Sequence, residues 1–331
     1  MLRISLLVIA SISASRSGIN AREAPGEPPV PRLKRDFTMK TLGGRQLWGD
    51  VAFFRGFRIQ QHVLTGHYRL LDADDYRHAS GSLQKCRDEL DTVKQRLKAE
   101  PMSGTAVIVV HGILRSSKSF EKMCKRLAKE GYIVVPFDYP STRFDIPRSA
   151  EFLHQVVESL EGVEEIHFVV HSMGGLIVRQ YRSRHKDPRV KRMVMLAVPN
   201  TGAQLADRFR KLGLFRMIFG PAGQQLVTDA EGLIATLPAP DFEFAVIAGS
   251  RGTLNGYNPL LPGDDDGTIT VASTRLPGAA DFLTVTALHS FLMGHAEVID
   301  ATVRFLREGK LRENGAQHSI QKLKARTKNA D

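Results

Sequence analysis

A chain of 331 residues with 42% hydrophobic and 24% charged side chains can bury the core of one sizeable α/β domain plus an extension, which excludes a disordered chain. The formal net charge of +11 favours anionic partners. The basic residues are dispersed, however, over Arg179, Arg182, Arg184, Lys186, Arg189, Lys191 and Arg192 and over Lys322, Lys324, Arg326 and Lys328, so they read as solvated faces and no nucleic-acid partner is expected.

In chain order, residues 1–17 read as a signal peptide: Arg3 precedes the apolar run Ile4 to Ala14, with small residues at Ser13, Ser15 and Ser17. The run is too short for a permanent anchor. Export, periplasmic or secreted, is expected if the signal operates, and a cytoplasmic location otherwise. Residues 18–36 form a linker, Pro-rich from Ala24 to Pro31 and charged from Arg32 to Asp36. Residues 37–103 form an N-terminal extension, in which the spacing of Leu83, Cys86, Leu90, Val93 and Leu97 predicts a helix from Ala79 to Lys98, packed on the main domain. Cys86 and Cys124 are expected in the core, and two cysteines build neither a disulfide framework nor a zinc cluster.

From Thr105 short β-branched runs alternate with amphipathic helices, the pattern of a parallel sheet with crossover helices. The predicted strands are Ala106 to Val110, Tyr132 to Phe137, Ile166 to Val170, Arg192 to Ala197, Phe242 to Ala248 and Phe282 to Leu288. Several are apolar throughout, as strands covered on both faces must be. Helices are predicted over Ser119 to Glu130, from Pro147 with Ala150, Leu153, Val157 and Leu160 on one face, and over Gly174 to Arg184.

The segment from Ile166 to Tyr181 runs from a strand straight into a helix with Ser172 at the junction, where a sharp turn lifts the hydroxyl above the sheet edge. His171-Ser172-Met173-Gly174-Gly175 resembles the nucleophile elbow of α/β-hydrolases, within them of bacterial lipases and esterases and of inositol deacylases. Val170 stands where that motif usually has Gly. The resemblance spans about residues 104–308 and implies an α/β-hydrolase fold, with a mostly parallel sheet, helices on both faces and a small helical cap over about 202–238. The hydrolase domain is expected over 104–310 and a basic polar tail over 311–331.

The same resemblance assigns roles. His111-Gly112-Ile113, after an early strand, resembles the step that shapes the oxyanion hole, so the N–H groups of Ile113 and Met173 are expected to hold the oxyanion, each contributing about 3 kcal/mol. In the usual Ser, acid, His order the base is His289, His295 or His318; His289 directly follows a strand and is preferred. Gly263-Asp264-Asp265-Asp266-Gly267 resembles the acid turn of bacterial lipases, with Asp266 matched through Gly267 and Asp265 kept as the alternative. The acidic run would also suit a solvated loop or a calcium site. Phe291 occupies the position two residues after the base where calcium-binding lipases often have Asp, so neither metal nor cofactor is expected. Val198-Pro199-Asn200-Thr201-Gly202 is similar to the stretch that leads into the cap of lipid hydrolases.

These residues imply a serine carboxylic-ester hydrolase, lipase- or esterase-like, acting through an acyl-enzyme on lipid esters. An acyltransferase or a complex-lipid deacylase would use the same triad, and a non-catalytic lipid-binding module would keep the fold alone. Within Leu205 to Phe219, apolar side chains are interrupted by Arg208, Arg210, Lys211 and Arg216, so peripheral contact with an anionic membrane is expected if the segment is not simply cap core. The sequence sets no oligomeric state.

Overall fold

A computed structural model describes residues 39–40 and 45–321, the side chains from residue 46 onward. The expected leader (1–17), the linker (18–36) and the lysines and arginine at 322–328 lie outside the described residues.

All six predicted hydrolase strands form, as β6 (Gly104–Val110), β7 (Ile133–Phe137), β8 (Val163–His171), β9 (Val190–Leu196), β10 (Glu243–Ser250) and β11 (Asp281–Thr286). They make one sheet in the order β11-β10-β9-β8-β6-β7, with every neighbouring pair parallel. Ala106 to Val110 and Ile166 to Val170 are fully buried, as a strand covered on both faces requires. The chain steps outward from β6 to β7, then returns to place β8 on the other side of β6. The loops after β6 and β8 therefore diverge at their carboxyl ends and open the crevice in which such sheets bind ligands.

The crossovers from β6 to β9 are α2 (Glu121–Lys129), α3 (Ile146–Glu158) and α4 (Met173–Arg184), and α9 (Ala296–Glu308) follows the last strand. The predicted helix from Ser119 to Glu130 divides into a 3-10 turn over Ser117–Phe120 followed by α2. Asp145 caps α3 by accepting from the Arg148 N–H, with Pro147 in the first turn, where its missing N–H costs nothing.

The extension departs from expectation. Besides its helix it holds an antiparallel sheet, β1 (Met39–Lys40), β2 (Trp48–Phe54), β3 (Phe57–His62), β4 (Tyr68–Leu71) and β5 (Tyr76–Gly81), in the order β1-β5-β4-β3-β2. No clean alternation announces these strands because their buried positions include Asp50, Arg58, Gln60 and Arg69. Helix α1 (Leu83–Arg96) starts four residues later than predicted, after Ser82, whose side chain caps it, because Ala79 to Gly81 belong to β5. It packs on β3, β4 and β5 rather than directly on the parallel sheet.

The two sheets meet where β2 passes the end of β7. The Asp50 N–H donates to the Asp138 carbonyl (2.9 Å), and the Asp138 N–H donates to Asp50 Oδ2 (2.7 Å). Gly49 lies against Phe152 of α3, where an added Cβ would come within 2.6 Å of the ring. Arg58 donates to Asp138 (3.2 Å) and to Asp75, bridging the extension and the hydrolase core.

Two further expectations change. Arg179 and Arg182 are buried rather than part of a solvated face, since Arg179 donates to carbonyls of Leu237, Pro238 and Asn200 and Arg182 to Asp241. The tail expected from residue 311 begins as packed structure: Leu311 is buried, Arg312 pairs with Asp281 (2.8 Å), and Ile320 exchanges backbone hydrogen bonds with Gly278 and Ala279. Cys86 is buried as expected; Cys124 is only partly so by surface exposure, although burial still lifts its thiol to about 12. No helix among the described residues is long and apolar enough to cross a membrane.

His167, buried within β8 and edge-on to Tyr132, has a ring nitrogen, Nδ1, with no hydrogen-bond partner among the described residues. Burial lowers its pKa to about 4 from 6.5. The folded state therefore binds this proton more weakly than the unfolded chain, and the neutral ring's contribution is present above 6.5 and lost as pH falls towards 4. Unfolding free energy should drop by up to about 3 kcal/mol across that window. Urea titrations at pH 7 and 4.5 should show a smaller pH dependence in His167→Gln; equal dependence in both proteins would contradict this origin.

Candidate active site

Ser172 occupies the junction between β8 and α4 at φ 53° and ψ −130°, a left-handed backbone that a side chain adopts at a cost of about 1–3 kcal/mol. It is held by its own N–H, which donates to the Leu196 carbonyl of β9 (2.9 Å), and by the close approach of α4 to β6. That approach explains the two glycines: a Cβ on Gly174 would stand 2.4 Å from the Val110 carbonyl oxygen, and one on Gly175 2.4 Å from Val198 Cγ2. Val170, in place of the usual Gly, is accommodated fully buried in the β8 ladder between Val110 and Met195.

His289 opens the 3-10 turn His289–Gly294 after β11, and its Nδ1 lies 2.7 Å from Asp266 Oδ2. A carboxylate oxygen only accepts, so Nδ1 carries the proton and the neutral ring keeps its lone pair on Nε2. Asp266 is 1% exposed; its Oδ1 accepts from the Thr268 and Ile269 N–H groups (3.0 and 2.7 Å). The His289 N–H also donates to the Asp266 carbonyl (2.8 Å), so side chain and backbone fix the pair together.

The neighbouring aspartates have other partners. Asp264 accepts from Ser250 Oγ (2.6 Å) and the Arg251 N–H. Asp265, wholly buried, accepts from the N–H groups of Tyr257, Asn258 and Gly267. It shapes the loop, and Asp266 is the one bonded to histidine. His295 caps α9, and the His318 N–H donates to Asp281, so neither joins His289.

His171, next to Ser172, links the two halves: its Nε2 donates to the His289 carbonyl (3.0 Å), and the two rings lie 4.5 Å apart. Burial, with His289 beside it, holds the His171 pKa well below the usual imidazole range, so the ring stays a neutral spacer.

The loop after β6 covers the serine from the other side. A Cβ on Gly112 would lie 2.9 Å from Ser172 Cβ, so only glycine lets the loop come this close. The Ile113 N–H follows this contact and the Met173 N–H opens α4, where a first-turn amide has no helical acceptor. Neither N–H has an acceptor among the described residues. Leu114 turns back at φ 60°, with its N–H donating to Ser141 Oγ (3.1 Å). His111 stacks on Tyr139 (4.3 Å), whose hydroxyl donates to the His111 carbonyl (2.6 Å). Tyr139, Ser141 and, further back, Gln46 are partners that no local motif announces.

Between β9 and β10 the chain forms α5 (Gln204–Phe209), α6 (Gly213–Gln224) and α7 (Leu233–Thr236). Helix α6 kinks at Gly220 (φ 61°), where the chain passes so close to the Thr142 carbonyl that no Cβ fits. A Cβ on Gly223 would lie 3.6 Å from Ile113 Cδ1, which puts α6 beside the loop after β6. Phe215 and Phe219 stack on each other (4.5 Å) and are partly buried, whereas Leu212, Leu214 and Met217 are exposed. Asn200 donates to the Thr274 carbonyl (2.8 Å), so the Val198–Gly202 stretch is a structural joint beneath these helices.

The sheet and the serine turn define an α/β-hydrolase fold. Residues 105–236 match the model of the alpha/beta hydrolase fold family. Solved structures similar to it include Bacillus licheniformis lipase BlEst2 in mature form, at 21% identity over 63% of this chain and 92% of that one, TM-score 0.47. A thermophilic esterase from Thermogutta terrifontis matches at 16% identity over 63% and 91% of the two chains, TM-score 0.43. A bromoperoxidase from Bacillus anthracis matches at 16% over 63% and 94%, TM-score 0.42.

Gly174→Ala should separate α4 from β6, because its Cβ would meet two carbonyl oxygens, of Val110 (2.4 Å) and His111 (2.7 Å). We expect about 1–3 kcal/mol of destabilisation in a denaturant titration. A variant as stable as the parent would show that the two elements are not in this contact.

Proposed function

We propose that the protein is a serine carboxylic-ester hydrolase with Ser172 as nucleophile, His289 as base and Asp266 as the acid that orients it. The observation that carries this reading is the left-handed Ser172, whose neighbour His171 donates to the His289 carbonyl, together with a His289–Asp266 pair whose carboxylate is almost wholly buried. Asp266 fixes the tautomer with Nε2 as acceptor, the form a base needs to take the Ser172 proton. The alkoxide attacks the ester carbonyl, and negative charge develops on its oxygen between the N–H groups of Ile113 and Met173. The protonated His289 then returns its proton to the leaving alcohol, leaving an acyl-enzyme that water hydrolyses by the same steps in reverse.

Lipid esters are the proposed substrates, and an anionic membrane the surface on which they are met. Support comes from α6, where exposed Leu212, Leu214 and Met217 sit among exposed Lys211 and Arg216.

Ser172→Ala should abolish fluorophosphonate labelling and lower ester turnover by several orders of magnitude. Asp266→Asn should cripple turnover with the fold intact, and Asp265→Asn should act mainly on loop stability. Labelling of Ser172→Ala at full strength, or full activity of Asp266→Asn, would refute the assignment.

Leu214→Ser with Met217→Ser should weaken binding to anionic phosphatidylglycerol vesicles and lower hydrolysis of long-chain aggregated esters, while short monomeric esters are turned over as before. Binding should fall as salt rises. Because Phe215 and Phe219 pack on each other, their replacement would test helix packing instead. Unchanged vesicle binding in the double variant would remove α6 from any membrane surface.

A further inference from the structure

The extension reaches the oxyanion loop through one side chain. Gln46 lies in the 3-10 turn Arg45–Leu47 just before β2. Its Oε1 accepts from Ser141 Oγ, from the Thr142 N–H and from Thr142 Oγ1, each at 3.1 Å. Its Nε2 donates to the Arg115 carbonyl (3.3 Å). Ser141 Oγ, by giving its proton to Gln46, is left with its lone pairs for the Leu114 N–H (3.1 Å). Gln46 therefore holds the turn Gly112–Arg115 at two points, at Arg115 directly and at Leu114 through Ser141.

That turn is not self-sustaining. It is closed by one bond of 3.3 Å, from the Arg115 N–H to the Gly112 carbonyl, and its third residue is a leucine at φ 60°. A turn with a left-handed third residue ordinarily carries glycine there. Rotating the peptide between Ile113 and Leu114 would relieve Leu114, but it would take the Leu114 N–H away from Ser141 and disturb the adjoining Ile113 amide. Thr142, gripped by Gln46 through its N–H, meets Gly220 of α6 through its carbonyl. One amide thus ties the extension to the oxyanion loop and to the segment on which the cap kinks.

We propose that Gln46 is a positioning residue for the oxyanion hole, so that the N-terminal extension is part of the catalytic apparatus. It rests on the reading above that the Ile113 N–H faces the developing oxyanion. Gln46 touches no reacting atom; it sets where that amide points in the transition state.

The test measures kcat and KM on a soluble short-chain ester, the second-order rate of fluorophosphonate labelling, and melting temperature, in Gln46→Ala, Gln46→Glu, Ser141→Ala and the Gln46→Ala/Ser141→Ala pair. Phosphonylation also builds charge on an oxygen held by the two amides, so labelling reads the same geometry without substrate turnover. In Gln46→Ala kcat and labelling rate should both fall about tenfold to a hundredfold, less than loss of an oxyanion donor itself. KM should change less than twofold. Gln46→Glu keeps the acceptor for Ser141 and Thr142 but loses the donor to Arg115, and should recover part of the rate. Because both residues act on one turn, the double variant should lose little more than Gln46→Ala alone.

Labelling of Gln46→Ala at the wild-type rate would overturn the inference while leaving Ser172 as nucleophile. So would a loss that appears in KM, or one that Gln46→Glu fails to recover even in part. Should Gln46→Ala not fold, Ser141→Ala, which removes the acceptor of the Leu114 N–H and keeps the extension in place, decides by the same readouts. A wild-type protein that takes no label at all would overturn the serine-hydrolase reading, and this inference with it.

Discussion

Ser172 is held in a backbone conformation that an isolated serine would leave, and the rest of the molecule supplies what keeps it there. The N–H is bonded to β9, the following helix is pressed onto β6 through Gly174 and onto Val198, just after β9, through Gly175, and a third glycine at 112 brings the facing loop within contact of Cβ. The contacts fall on β6 and β9, the two strands that flank β8. The side chain is thereby presented at the switch point where the loops after β6 and β8 part, and a local cost of about 1–3 kcal/mol is offset by packing spread over the domain.

Charge is organised around the same crevice. Three successive aspartates divide the work: Asp264 pins the end of β10, Asp265 closes the loop at 256–258, and Asp266 orients His289. Behind the facing loop, Asp138 accepts from Ser117 and from Arg58 of the extension, while Asp50 bonds the Asp138 backbone. Burial and the neighbouring Asp138 push Asp50 up to about 7, against the pull of Arg58. Buried ionic groups of this kind contribute little net stability when complete, and removing one partner strands the others. They hold the extension to the core in one register.

The extension so joined is more than a spacer. Its β2 lies along the end of β7, its Arg58 reaches Asp138, and its Gln46 reaches the loop that carries Ile113. Helix α6 also comes against Thr142 and Ile113.

The parallel sheet was legible in the sequence because parallel strands buried on both faces must be almost continuously apolar, and the runs Ala106–Val110, Phe168–Val170 and Phe244–Ala248 are. The serine turn was legible as well, since close helix–strand approach demands small residues and leaves Gly174 and Gly175 as a local mark. The antiparallel sheet was hidden because Asp50, Arg58, Gln60 and Arg69 are buried by pairing with one another and with Asp138, which composition along one strand does not reveal. Between Asp265 and Asp266 the chain alone left a choice: adjacent carboxylates differ only in what the fold brings to each. The same holds for Gln46, whose partners lie 69 to 96 residues away. Sequence determines what periodicity and backbone sterics demand of near neighbours; which polar groups meet across the core is decided by the tertiary structure, because a hydrogen bond is specific to position and leaves no period in the chain.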